Sequence, residues 1–361
     1  MTDTVSHTDA IPGYIREAHA MGPKIVALGG GTGLSTMLRG LKAVSSNITA
    51  IVAVSDDGGS SGYLRHDRSM PPPGDIRNCI MALANTEPFM EQLMNYRFDG
   101  GALGGHSFGN LLLAALNGIS PSFEDAVARM HEVLAVTGRV MPVTASDVYL
   151  EAEFENGAKV LGESKIFNFK KQQGCRIRCV RMVPQNPPAL PAALEAITGA
   201  DMIVVGPGSL YTSVIPNLLV DGVAGAILDS KALKVYVCNV MTQEGESEGY
   251  TVHDHVKELA AHSHPNLVQY CLINSSPVPE AILERYEVEN AWPIEVDYDA
   301  LKDDGVELVV RPLLGKQANY ARHNPKRLAY ELFALFAEKA PRSGELAQLD
   351  KMMLSWLRSQ L

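Results

Sequence analysis

Apolar and polar positions follow two distinct periods along this chain, and the switches between them mark its elements. Ile25-Val26-Ala27-Leu28 is a short continuous apolar run that ends in glycines, and Leu34, Met37, Leu38 and Leu41 follow at helical spacing. A second run, Ile48 to Val54, is rich in β-branched residues and ends at Asp56-Asp57-Gly58-Gly59. Strand, glycine turn, helix, strand is the opening of a parallel βαβ unit, with a connection long enough for the right-handed crossover. Helical spacing recurs over 76–84, 111–116 and 122–134, the last with Ser122 as N-cap and Asp125 three residues on. Between Ser55 and Gly74 no period survives, and a stretch of that length inside a compact domain predicts a functional loop.

The texture changes near Val143. Val148, Leu150, Ala152 and Phe154 alternate with polar residues, and Asn156-Gly157 predicts a two-residue hairpin turn, so 145–182 reads as an antiparallel β insertion. Helix 189–197, strand 202–205, strand 235–238, helix 252–261 and strand 267–273 then resume the alternating pattern, and Pro325 opens a further helix through Phe336. The predicted fold is α/β, a Rossmann-like, mostly parallel sheet with helices on both faces and an antiparallel β insertion. The polar start, 1–22, reads as a flexible tail. Residues 23–340 read as the nucleotide-binding body, and 341–361 as a terminal amphipathic helix that docks its stripe of Leu346, Leu349, Met353, Leu354 and Leu357 on the body or on a partner.

Composition adds mainly exclusions. The 361 residues carry 46 % hydrophobic and 20 % charged side chains with net charge −10, which argues against a general nucleic-acid binder. Five scattered cysteines read as reduced thiols, since Cys175 and Cys179 have no second pair to complete a zinc site. No apolar run reaches the length of a membrane span, and the start has neither the cationic nor the apolar region of an export signal. A cytoplasmic protein is expected.

Gly29-Gly30-Gly31-Thr32-Gly33-Leu34-Ser35 is the sharpest chemical feature. A strand-to-helix turn without side chains lets a phosphate reach backbone N–H groups, and the helix start adds free donors and a positive dipole end. The spacing is neither the dinucleotide glycine fingerprint nor a Walker loop. Gly206-Pro207-Gly208-Ser209-Leu210-Tyr211-Thr212 after the strand 202–205 is a second such corner, and two corners of one α/β sheet can face one crevice. Asn239 to Gly245, with Thr242, ends another strand and is expected on the same edge. Asp56 and Asp57 stand where a nucleotide fold often puts a ribose-binding acid, with Ser60 close behind. Asp57 and Asp75 are candidate carboxylates for a magnesium ion shared with phosphates, and Asp75 is also a candidate N-cap for its own helix, near Asn78. Gly105-His106-Ser107-Phe108-Gly109 matches the string of a nucleophile elbow but lacks the preceding strand, so it reads instead as a helix start presenting His106, Ser107 and Asn110. Tyr286 and Arg322 suit stacking and phosphate contact. Lys165, Lys170, Lys171, Arg176, Arg178 and Arg181, with no acid between them, read as a solvated face of the insertion.

Taken together, Gly29–Ser35, Asp56–Gly62, Pro72–Asn78, Gly105–Leu113, Gly206–Asn217, Met241–Gly245 and Arg322-His323 resemble the gluconeogenesis-factor (YvcK) family within the CofD-like superfamily. The resemblance covers about 24–328. It implies a Rossmann-like cytoplasmic protein that binds UDP-sugars such as UDP-N-acetylglucosamine, with Tyr286 and Arg322 as nucleotide-sugar contacts, and acts in carbon metabolism and in cell-shape or envelope control. No cofactor is required on this reading. A regulatory protein partner and a homo-oligomeric assembly are expected. The transferase branch implies the alternative: a magnesium-dependent transfer from a nucleotide-diphosphate-linked donor, with Asp57 and Asp75 matching its metal carboxylates. This chain departs from that branch by continuing its turn Gly-Leu-Ser and by its Gly-Gly-Ser-Ser-Gly acidic loop.

Overall fold

The structure is a computed structural model that describes residues 12–302, 305–315 and 320–361. Ten strands are β1 (Ile25–Gly29), β2 (Ile48–Val52), β3 (Arg139–Pro142), β4 (Tyr149–Phe154), β5 (Lys159–Leu161), β6 (Ile177–Val183), β7 (Met202–Val205), β8 (Leu233–Val237), β9 (Tyr270–Asn274) and β10 (Glu307–Arg311). Seven of them form one sheet in the order β10-β9-β8-β7-β1-β2-β3, parallel at each junction. The chain leaves β1 toward β2 and β3 on one side, then returns to β7 and runs outward to β10 on the other. Strand order therefore reverses at the β1–β7 junction, and open α/β sheets bind ligands outside the carboxyl ends of the strands at such a reversal.

Each sheet face carries its own core. In β1, Ile25 and Ala27 pack with the helices Gly31–Leu41, Pro73–Leu83 and Pro325–Lys339, while Val26 and Leu28 pack with Pro191–Thr198 and Val252–Ala261. This two-sided burial explains why the strands read as continuous apolar runs. The insertion is a second sheet, β5-β4-β6, antiparallel as expected.

Several expectations are corrected. Three residues, 155–157, turn the β4–β5 hairpin inside the pair Phe154 and Ala158, because Phe154 N–H donates to the Ala158 carbonyl while the Phe154 carbonyl accepts from Gly157 N–H. Gly157, at φ +83°, supplies the left-handed residue that such a loop requires. The insertion also contains a helix, Glu163–Gln173, and this changes the basic stretch. Lys170 is buried and paired with Glu248, Lys171 pairs with Glu244, and Arg178 and Arg181 share Glu153. The expected loop after β2 holds a helix, Gly59–Arg68. The expected tail through residue 22 holds a helix, Gly13–Ala20, whose Ile15 and Ala18 are buried; the rest of that tail, 1–11, lies outside the described residues. The terminal helix Gly344–Ser359 docks on the body through Leu349, Met353 and Leu357, packing against Gly13–Ala20 and Pro325–Lys339. Among the described residues no helix is long and apolar enough to cross a membrane.

Candidate functional site

The two glycine corners meet at the β1–β7 reversal. They touch so closely that a Cβ on Gly33 would lie 2.5 Å from the Pro207 carbonyl oxygen and 2.9 Å from the Gly208 nitrogen. Both open onto one crevice of about 490 Å³, ample for a nucleotide-sized ligand. Gly30, Gly31, Thr32 and Gly33 line it from the first corner, Gly208 and Ser209 from the second, and Asn239 and Thr242 from the end of β8. The opposite wall carries Tyr286, Glu289, Tyr320, Arg322 and His323. That wall rests on a small apolar cluster of Val240, Met241, Ile282, Leu314 and Ala321, with Tyr286 packed against it.

Donors and charges are laid out unevenly. Gly30 caps the helix Gly31–Leu41 with extended backbone and no side chain, so the first-turn N–H groups lack a capping acceptor. Asp75 takes one of them, accepting from Gly31 N–H at 2.6 Å. Thr32 and Gly33, at the positive end of the helix dipole, line the crevice, and their N–H groups have no hydrogen-bond partner shown among the described residues. At the second corner Gly208 N–H is spent on Asn239 Oδ1 (3.1 Å), and Glu246 accepts from Tyr211 and Thr212 N–H at 2.9 and 3.0 Å. Ser209 Oγ donates to Gln243 at 2.7 Å. Arg322 lies over the Tyr320 ring, 5.0 Å from its centroid, and its charge acts on Tyr286. Burial outweighs that charge and pushes the Tyr286 phenol up, keeping it a neutral donor. Burial holds His323 down at about 4, so it stands neutral.

Behind the first corner lies a group of carboxyls. Burial and the neighbouring Asp56 charge raise Asp75 to about 6, against the Gly31 hydrogen bond. Burial raises Glu246 to about 7, against its backbone donors. Glu163 is pushed well above the carboxylate range by burial, then by Asp56, Asp75, Glu246 and Asp57.

The other expected site residues do not line the crevice, though Asp75 touches its first corner through Gly31 N–H. Leu34 is wholly buried in the core, and Gly206 lies behind the crevice at the end of β7. Tyr211 is also buried, its hydroxyl 2.8 Å from that of Tyr250, and Thr212 is the backbone partner of Glu246. Asp56 accepts from Gly58 N–H at 2.8 Å. Asp57 accepts from Ser164 N–H at 2.9 Å and so caps the insertion helix from outside. Asp75 stands in the first turn of its helix; Pro72 is the N-cap. Ser60 contacts His106 Nδ1 at 2.9 Å and accepts from Asn110 at 3.1 Å, in a polar group apart from the crevice lining. Ser107 is a helix N-cap, accepting from Asn110 N–H at 3.3 Å, which retires it as an elbow nucleophile. Asn78 lies on the helix Pro73–Leu83 and does not line the crevice. Among the described residues no group of three or more His, Cys, Asp or Glu side chains is arranged to hold a metal, and Asp57 and Asp75 are already engaged by backbone amides. Glu289, Tyr320 and the buried Glu246 had no sequence signal: each owes its place to contacts between distant segments.

A family model described as 2-phospho-L-lactate transferase CofD matches residues 25–314. The chain belongs to this family. A Thermoanaerobacterium thermosulfurigenes relative is 51 % identical over 318 residues, spanning 88 % of this chain and 98 % of that one. The gluconeogenesis factor of Bacillus subtilis is 45 % identical over 317 residues, spanning 88 % and 99 %. A solved Bacillus halodurans structure of the UPF0052 family superposes with a TM-score of 0.82 at 45 % identity, over 85 % of this chain and 98 % of that one. The gluconeogenesis-factor resemblance read from the motifs therefore holds.

Proposed function

We propose that this protein binds a nucleotide-diphosphate sugar of the UDP-sugar class in the β1–β7 crevice and acts as a regulator without turnover. The observation that carries this reading is the meeting of two strand-to-helix glycine corners at the sheet's one reversal, facing a wall with Arg322 and Tyr286. The diphosphate accepts from Thr32 and Gly33 N–H, Arg322 balances its charge, and Tyr286 supports the nucleoside. No nucleophile–base pair lines the crevice among the described residues, which favours binding over chemistry. Relatives named gluconeogenesis factor support a role in carbon metabolism, with the sugar nucleotide as the sensed metabolite in the cytoplasm and a protein partner as the reader. Envelope and cell-shape control belong to the same proposal.

Calorimetry with UDP-N-acetylglucosamine and UDP-glucose tests it. Binding is expected, at least tenfold weaker in Arg322→Ala. The absence of binding to any UDP-sugar at millimolar concentration overturns the reading.

A second reading, a magnesium-dependent transferase, is favoured by Asp75, whose carboxylate meets the Gly31 N–H of the first corner with the Asp56 charge acting on it. A magnesium ion there would be held by one or two carboxylates plus ligand phosphate oxygens. It predicts metal-dependent product that disappears in a folded Asp75→Asn variant.

A further inference from the structure

Glu289 is the one carboxylate among the described residues that line the crevice. Its position is set by its backbone: it closes the helix Glu280–Val288, donating its N–H to the Tyr286 carbonyl at 3.0 Å. Its side chain is exposed and makes no hydrogen bond or ion pair with a described residue. Arg322 stands on the same wall, and the two charges act on the Tyr286 hydroxyl from opposite signs. A free carboxylate facing a site built for an anion is unfavourable wherever it meets the phosphates, by the ordinary repulsion of like charges. It becomes favourable only where the ligand offers neutral donors.

Uridine diphosphate, which carries no hexose and none of its hydroxyls, offers two kinds. A uracil ring has a single N–H between two carbonyl oxygens, and a carboxylate set against that edge meets repulsion on both flanks. The ribose 2′- and 3′-hydroxyls are two adjacent donors with no flanking acceptor, and a carboxylate can accept from both, one on each oxygen. Nucleotide folds often hold the ribose by an acid at the end of the second strand. Here neither of those acids lines the crevice: Asp56 turns to Gly58 N–H and Asp57 to Ser164 N–H.

We infer that Glu289 is the ribose-reading residue of the crevice, accepting from the 2′- and 3′-hydroxyls and so selecting ribonucleotides over 2′-deoxyribonucleotides. This rests on the nucleotide-binding reading above. Glu289 also orients the ligand, with the nucleoside on the Tyr286 wall and the diphosphate on the glycine corners.

Calorimetry of the full chain with uridine diphosphate and its 2′-deoxy counterpart tests it. The ribonucleotide is expected to bind at least tenfold more tightly. In Glu289→Ala and Glu289→Gln that preference should fall to within about twofold, the loss coming from weaker ribonucleotide binding. Because Glu289 is exposed and has no partner among the described residues, unchanged melting temperatures should accompany both variants. Equal wild-type affinity for the two diphosphates, or a preference that survives in Glu289→Ala, overturns the assignment and leaves nucleotide binding intact. No binding of either diphosphate overturns both.

Discussion

Gly33 shows how little room the site leaves at the scale of one residue. A methyl group there meets the backbone of Pro207 and Gly208, which cannot swing aside as a flexible side chain would. Gly33→Ala should separate the two corners, costing about 1–3 kcal/mol of stability by overpacking. Nucleotide affinity should fall at least tenfold, and denaturant melts with calorimetry measure both. Glu246 makes a different prediction. Its folded pKa of about 7 lies above the usual 4.5, so the native state holds a proton that the unfolded chain releases. The stability this proton brings is complete below about pH 4.5 and is lost as pH rises through 7. The histidines His131, His255 and His323, held near 4, act in the opposite direction below 6.5, so the comparison must be made against a variant. Wild type should lose stability relative to Glu246→Gln between pH 4.5 and 7, with a slope difference of up to one proton. Parallel pH–melting curves for the two proteins would contradict the buried carboxyl.

At the scale of elements, Asp57 ties the acidic loop to the insertion. Asp57→Ala should destabilise the protein by about 1 kcal/mol and speed amide exchange in Glu163–Gln173, while Asp57→Asn, which keeps the accepting oxygen, should do neither. A metal role would instead make both variants alike in losing a metal-dependent signal. Elements with a strong local period were legible in the sequence: β1, β7 and the helix Val252–Ala261 stand where the apolar spacing puts them. The helices that escaped were those whose reason is distant. Gly59–Arg68 is glycine-rich and polar, and it holds through Leu64 and the buried Arg65, which reaches Asp147 and Val148 in the insertion. Gly13–Ala20 has too short an apolar face to register until it meets the terminal helix.

For the whole molecule, the same distinction separates what could be read of the site. A glycine corner is local, so both were visible. Which polar side chains face the crevice is decided by where the sheet reverses and what packs behind. Tyr211 reads as a ligand contact and is buried against Tyr250, whereas Glu289, which carries no local signal, lines the crevice. The terminal helix belongs to the core, not to a detachable tail, because Met353 and Leu357 share one apolar cluster with Ile15. Ile15→Asp should cost at least about 2 kcal/mol, seen in denaturant melts, by exposing that seam to an unpaired charge.

The central claim, that a diphosphate sits on the Thr32 and Gly33 amides of the first corner, in the crevice that the second corner also lines, is tested most directly by hydrogen exchange of individual amides with and without a saturating UDP-sugar. Slowed exchange at Thr32 and Gly33 is the expected result, with Gly208 changing little because its N–H is already held by Asn239. Unchanged exchange at Thr32 and Gly33, with protection elsewhere in the chain, would contradict it.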